Sequence, residues 1–539
     1  MQMLKCKATY TSTVGARTET LSRRVRGNVS VLAVCRNSTK ELKTHYRASP
    51  CSLPGGFTPP NRDSCVARAA AAEAQSPQGQ TGLPFIGETL DILNDPIGYF
   101  DQRTKQYGKV FRTRFAGEDC VAVADTKLIQ ELLNSEHKTV IFEINPSIDK
   151  LAESPMFASN ERRERNVQKE HKLDRAFLKD FFSPAAIASY YPYMQSSLRK
   201  RMASWAEQPE VLVVEATKAF AFDVMNTQLA GIRFTEEQLR EMDVLWKDFT
   251  NGAMDLLGID LPWTDFGKGV RAAERLEEII LAALRESYGD KMDTRDFGER
   301  NIATGFLMQK NEDGSWKHSL ENVASIMKAL LFAGHETTAG AMLAMMHFIT
   351  RNPEVLTALR EEQAELVERH GTEITPEILE GTYTEATTVE VMRLQNIDKT
   401  TRSPGLLFRR AISDFELGGY SIKKGTKIML AQVYSTYSVE KFLPTVEQFQ
   451  PERWLVPGKS AVATSKSVGV SAFGGGPRVC AGEALAWAEL KVFLSMLVRN
   501  LDWEILNPDA EWRKSQGSIN RTPVDGMATR FVKRAEAIN

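Results

Sequence analysis

One cysteine near the C-terminus sits in a run that leaves few folds open to the chain. The run reads Phe473-Gly-Gly-Gly476-Pro-Arg478-Val-Cys480-Ala-Gly482, and from Ala481 to Arg499 it continues in helix-forming Ala, Leu, Val, Glu and Lys. A glycine-rich turn therefore presents a thiol at the mouth of a helix, where free N–H groups and the helix dipole lower its pKa. Gly476 and Gly482 allow close approach of backbone to a flat macrocycle, Phe473 can pack on it, and Arg478 can pair with a propionate. A thiolate so placed is what a haem iron requires. The competing reading is a buried cysteine beside a glycine-rich turn.

The 539 residues, 42% hydrophobic and 25% charged, suffice for one large catalytic domain or several small ones. A formal net charge of -1 argues against nucleic acid as a partner, since phosphate binding needs a basic excess. Four of the six cysteines (Cys6, Cys35, Cys51 and Cys65) precede residue 80, leaving Cys120 and Cys480 beyond it. Two unpaired cysteines suit a reducing compartment without a disulfide framework. Residues 1–79 are rich in Lys, Arg, Ser and Thr, poor in acids, and pass through Ala69-Ala70-Ala71-Ala72. That is the composition of an organelle transit peptide and linker, for a chloroplast first and a mitochondrion second. The most apolar stretch, Ala324 to Ile349, contains Lys328, His335 and Glu336, and reads as a buried helix rather than a membrane span.

Folded sequence is expected from Gly82-Leu-Pro84 onward, as one domain over residues 80–539. A hairpin is expected between Val110–Phe115 and Cys120–Ala124, then mainly helix from Lys127 to Arg393, then a second strand region at Leu406–Ile428. The fold class is mainly α with small β-sheets. Ser319 can cap a helix that Asn352-Pro353 stops, roughly 48 Å long at 1.5 Å per residue. Its middle reads Ala333-Gly334-His335-Glu336-Thr337-Thr338, a poor helical stretch in which hydroxyls bonding to the preceding turn are expected to open a bulge for a small ligand. Glu336 and Thr337 supply an acid and a hydroxyl for proton relay; the alternative is a Thr pair satisfied by backbone. His335 is placed in packing or solvent rather than on a metal. Glu390 and Arg393 share a helix face as an ion pair, and Arg453 in Phe449-x-Pro451-Glu452-Arg453-Trp454 offers a second cation.

These elements, in this order and spacing, make the chain from about residue 80 to 535 resemble the cytochrome P-450 family of haem-thiolate monooxygenases. The resemblance implies a cytochrome P-450 fold with haem b, Cys480 as the axial iron ligand, and Glu336, Thr337 and Thr338 as the oxygen-activating residues. It implies haem contacts from Arg478, Phe473, Gly476, Gly482, Ala333, Gly334, His171, Arg175 and Arg409. It makes Glu390, Arg393 and Arg453 a structural triad. Phe182-Ser-Pro184, Leu257–Pro262 and Asp414–Tyr420 look most like the group oxidising sterols, brassinosteroids and retinoids. The family often has a tryptophan near Asn166-Val167-Gln168, and a proline-containing substrate loop where this chain has Leu394 to Pro404; both are departures.

The function so implied is insertion of one atom of O₂ into a small hydrophobic, isoprenoid-like substrate, with electrons from ferredoxin or an NADPH-dependent reductase. Two rivals are a haem-thiolate lyase or isomerase acting on fatty-acid hydroperoxides, and a non-catalytic haem carrier or sensor. The apolar run Met254 to Trp263 is a candidate peripheral membrane contact or an inward-packed lid. Lys169, Lys172 and Lys179 are candidates for docking an acidic electron donor.

Overall fold

The computed structural model describes residues 75–152, 167–402, 405–439, 442, 444–469, 472–514 and 517–535. Residues 1–74, most of the expected leader, lie outside them, and Ala71–Asn539 clusters as a compact unit. The helices that build the site are α1 (Thr126–Asn134), α2 (Val167–Phe181), α3 (Pro184–Trp205), α4 (Val213–Asp223), α5 (Glu236–Ala253), α6 (Asp265–Tyr288), α7 (Leu320–Thr350), α8 (Tyr383–Leu394) and α9 (Glu483–Asn500).

Helix α7 is the axis of the molecule. Ser319 caps it by accepting from Asn322 N at 3.3 Å, and Asn352 ends it where Pro353 starts the next helix. It packs against α4, α6, α8 and α9, and its apolar residues are buried on every side. Its one lysine, Lys328, is buried because Glu277 of α6 meets its Nζ at 2.7 Å. Among the described residues no helix is long and apolar enough to cross a membrane.

A five-stranded mixed sheet flanks the helices, made of β1 (Val110–Phe115), β2 (Glu118–Val123), β3 (Val140–Glu143), β4 (Leu406–Ala411) and β5 (Lys427–Ala431) in the order β1-β2-β5-β4-β3. The expected hairpin is β1–β2, turning through Ala116 (φ 50) and Gly117 (φ 84), the two left-handed positions a tight hairpin needs. In β3–β4, Phe142 lies directly opposite Arg409. Smaller sheets follow, one pairing Phe415–Leu417 with Tyr420–Ile422 and another joining Val211–Leu212, Leu501–Ile505 and Ala528–Lys533.

Helices α5 and α6 cross at two glycines. A Cβ on Gly269 would stand 2.8 Å from Gly252 Cα and 2.9 Å from Leu151 Cδ2, so the close approach depends on both side chains being absent. We therefore expect Gly269→Ala to destabilise the fold by about 1–3 kcal/mol through overpacking, read as a lower thermal midpoint. An unchanged midpoint would show that the crossing is free to widen.

Candidate haem-thiolate site

The cysteine loop closes on itself through a hydrogen bond from Cys480 N to Phe473 O at 3.0 Å. Gly476 adopts φ 64, and a Cβ there would lie 1.9 Å from Leu133 O, so the end of α1 requires glycine at this position. At Gly482, by contrast, a Cβ would meet nothing within 4 Å. Phe473 is half-buried with its ring edge-on to Trp487 at 5.2 Å. Helix α9 begins at Glu483, three residues past the cysteine.

The expectation of a depressed thiol pKa is not met by the chain alone. Burial pushes the Cys480 thiol up, and the Gly482 N–H and the Arg175 charge oppose this only in part. A coordinating thiol is deprotonated, so iron, once bound, would supply the ionised form. Cys120, the other described cysteine, is buried in β2 and pushed up to about 12, chiefly by burial. Of the two, Cys480 is the accessible one, its desolvation coming from the protein packed around an open site.

Three sequence-expected arginines come together here. Arg409, on β4, and Arg478 flank the ring of Phe142, their guanidinium carbons 5.2 and 5.4 Å from its centroid. Arg175 on α2 senses the charges of both Arg478 and Cys480. Burial is the leading cause that lowers all three guanidiniums, the condition of cations short of anions. Sequence reading missed Glu136, which stands between two of them, with Oε1 3.1 Å from Arg478 Nε and Oε2 3.1 Å from Arg409 Nε. The second approach lacks hydrogen-bond alignment, so Arg409 Nε and Glu136 Oε2 are both buried without a hydrogen-bond partner. Three cations against one carboxylate leave a charge of about two to be met, and a haem carries two propionates. The cluster thus fits that group. Residue His171 lies on α2, but its side chain is outside the described residues.

The middle of α7 contradicts the expected bulge, for the helix is continuous from Leu320 to Thr350. Thr337 donates to Ala333 O at 2.8 Å, which satisfies its hydroxyl without opening the turn. The irregular turn is instead in the segment alongside, a π-helix at Val224–Ala230. Gly334 admits it: a Cβ there would lie 2.6 Å from Met225 Cγ and Sδ, so the packing of that segment requires glycine here. Ala333 is half-buried and Thr338 buried, while Thr337 is the single exposed residue between Val323 and Ile349. Glu336 is 1% exposed and pairs with Lys218 Nζ of α4 at 2.7 Å and His335 Nε2 at 3.3 Å. Burial would raise its carboxyl, but His335 and Lys218 together hold it below its ordinary value. His335 is in packing as expected, edge-on to Phe222 and Trp246, with Nδ1 2.7 Å from Leu331 O.

The triad assembles as expected and is larger than three residues. Arg393 donates to Glu390 through Nε at 2.8 Å and Nη2 at 2.7 Å, and Arg453 Nε donates to Glu390 Oε1 at 3.0 Å. Gln450 N and Trp454 Nε1 add bonds to the same carboxylate at 2.9 and 2.8 Å. Both guanidiniums lie 5.4 Å from the Phe442 ring.

An accessible thiol loop opening onto a helix, a propionate-sized cationic cluster and a long buried helix with one accessible hydroxyl define a haem-thiolate protein. The family profile described as Cytochrome P450 matches residues 77–528, and the chain belongs to that family. Its cofactor is accordingly haem, with iron held by a cysteine thiolate, and it is an oxidoreductase of the monooxygenase class. The chain is 28% identical over 483 residues to cytochrome P450 26A1 of Xenopus laevis, covering 87% of this chain and 92% of the relative. It is 27% identical over 446 residues to a beta-amyrin 28-monooxygenase of Saponaria officinalis (80% and 87% covered). It is 28% identical over 436 residues to putative cytochrome P450 120 of Synechocystis (80% and 91% covered). A solved structure of retinoic-acid-bound cyanobacterial CYP120A1 superposes with a TM-score of 0.69 at 24% identity, covering 86% of this chain and all of that one, which shows the shared fold.

Replacing Glu390 by Gln would leave Arg393, fully buried, without its charge partner. Breaking such a pair costs about 3–5 kcal/mol, so the variant should accumulate with little or no bound haem, measured as Soret absorbance per protein. Full haem content would show that the network is dispensable.

Proposed function

We propose that this chain is a haem-thiolate monooxygenase for an isoprenoid substrate, with Cys480 as the iron ligand. That the substrate is hydrophobic follows from the family and its monooxygenase relatives. The finer class rests on the names of relatives, one acting on beta-amyrin and one solved with retinoic acid bound. The observation that carries the reading is Thr337, the single exposed residue between Val323 and Ile349 of the central helix. A lyase or a haem carrier has no need of it.

The chemistry the bound haem supplies is reductive activation of O₂, in which two electrons and two protons accompany transfer of one oxygen atom to substrate and release of the other as water. The protein's part is binding and proton control. Arg175, Arg409 and Arg478 are the residues that would hold the propionates. Thr337 holds a proton on Oγ1, now donated to Ala333 O, and reaches an acceptor in the site by rotating about χ1. Glu336, beside Thr337 in the chain and held below its ordinary value by His335 and Lys218, is the carboxylate proposed to relay protons toward the site.

The electron donor is proposed to be acidic, ferredoxin or an NADPH-dependent reductase, meeting the exposed Lys172 and Lys179 of α2. Substrate is proposed to enter from a membrane surface. Leu257 and Trp263 are 78% and 72% exposed in the loop before α6, together with Leu256, Ile259 and Leu261, which favours surface contact over an inward-packed lid. The basic, acid-poor composition of residues 1–79 supports import into a plastid; uptake of the full chain by isolated plastids or by mitochondria decides between the two organelles.

Thr337→Ala should leave haem content and substrate-induced spectral shifts intact while diverting most of the reductant to peroxide, about a tenfold loss in coupling. Coupling equal to the parent would sink the proposed role. Replacing both Leu257 and Trp263 by Ser should weaken sedimentation with phospholipid vesicles by about tenfold or more, since burial of the two side chains is worth about 2–4 kcal/mol. Unchanged sedimentation would assign the loop elsewhere.

A further inference from the structure

We propose that Glu136 is a positioning residue for the haem-binding arginines, holding the guanidiniums of Arg409 and Arg478 by their Nε edges so that their terminal nitrogens face the propionates, and setting the reduction potential through its buried negative charge. The inference rests on the haem-thiolate reading and deepens it.

The geometry divides the two ends of each guanidinium. Glu136 engages both arginines at Nε, 3.1 Å away in each case. Arg409 Nη1 donates to Phe408 O at 2.8 Å, and no described residue accepts from Arg409 Nη2 or from either terminal nitrogen of Arg478. Arg478, hydrogen-bonded to Glu136 at Nε, keeps both terminal nitrogens, and Arg409, ion-paired to Glu136 at Nε without a hydrogen bond, keeps Nη2, so each still presents donors to an anion on the other side. Phe142 completes the clamp. Its ring is flanked by both guanidiniums, its strand position is fixed opposite Arg409, and its own N–H donates to Glu136 Oε1 at 2.9 Å.

The backbone is committed to this placement. Glu136 follows α1 and precedes His137, which takes φ 65, a left-handed conformation unusual for a residue with a side chain. That turn folds the chain back so that His137 N reaches Val140 O at 2.7 Å and β3 can start. It leaves the Glu136 side chain 0% exposed between two cations. A surface glutamate would be mobile and screened; this one is neither.

Charge accounting gives the consequence for function. With Glu136 in place, the cluster of Arg175, Arg409 and Arg478 balances two propionates; without it, one positive charge is left over beside the haem. An uncompensated cation favours the form carrying the extra electron.

The test is Glu136→Gln in the haem-loaded full chain, which removes the charge while keeping an acceptor for Phe142 N. The reduction equilibrium should shift about three- to tenfold toward the ferrous form, about 30–60 mV more positive at ~59 mV per decade for one electron. Haem transfer to apomyoglobin should quicken about fivefold or more. Glu136→Asp, which keeps the charge on a shorter arm, should speed haem transfer while its potential stays near the parent's. Parent-like potential and haem retention in Glu136→Gln would overturn the proposal, as would an equal potential shift in Glu136→Asp. Should Glu136→Gln yield no loaded protein, Glu136→Asp decides, with parent-like haem retention the overturning result. The red-shifted Soret band of the ferrous carbon monoxide complex reports on Cys480 separately, so loss of the thiolate reading and loss of the Glu136 reading are distinguishable.

Discussion

A single buried carboxylate, Glu390, carries the organisation of the cysteine side of the molecule. It accepts from Arg393, Arg453, Gln450 and Trp454, every donor within 3.0 Å, with Glu390 and Arg393 wholly out of water. The arginines spend their remaining donors on the carbonyls of Thr445, Val446 and Gln448. The carbonyls of Thr445, Val446 and Gln448 and the N–H of Gln450 are thus satisfied by side chains in an irregular stretch ahead of the short 3-10 turn Pro451–Trp454. Glu385, on the same helix as Glu390, repeats the device by accepting from Ala461 N at 2.9 Å and meeting Lys491 Nζ of α9 at 3.4 Å.

The distal side rests on a different constraint, the burial of α7 from Val323 to Ile349 everywhere but at Thr337. A helix so enclosed cannot place polar groups freely, so its buried charges are paired by neighbours, Lys328 by Glu277 and Glu336 by Lys218 and His335, while the exposed Thr337 is satisfied by its own backbone. Gly334 and Gly340 then admit Met225 and Asn520 to within contact of the helix axis. Small residues that a propensity scale reads as weak points are here where other elements dock.

That contrast explains what was legible in the sequence. Cys480, the Glu390–Arg393 pair and the capped limits of α7 depend on neighbours within a few positions, and local spacing carries them. The missing bulge at Thr337 shows the limit of the same logic: a hydroxyl bonding to the preceding turn is compatible with a regular helix, and the π-turn formed instead in Val224–Ala230, where Gly334 leaves room. The thiol misled for a related reason, since dipole and N–H effects are visible in sequence while desolvation depends on everything packed around the loop. Glu136 had no local signature. It is 342 positions from Arg478, and nothing in Ser135-Glu136-His137 announces that β3 and β4 will bring two arginines to it.

The two halves of the site therefore depend on each other through charge rather than through chain connectivity. Arg478 arrives with the cysteine loop, Arg409 with β4, Arg175 with α2 and Glu136 with the turn after α1. Burial lowers each guanidinium, which means that bringing them together costs free energy that the single Glu136 carboxylate only partly offsets. A ligand with two carboxylates that binds the folded state removes that cost and adds its own binding energy to stability. Folding and haem uptake are on this argument one coupled equilibrium, and the arginine cluster is the place where the protein's electrostatic deficit selects a dianionic cofactor over a neutral apolar one of the same size.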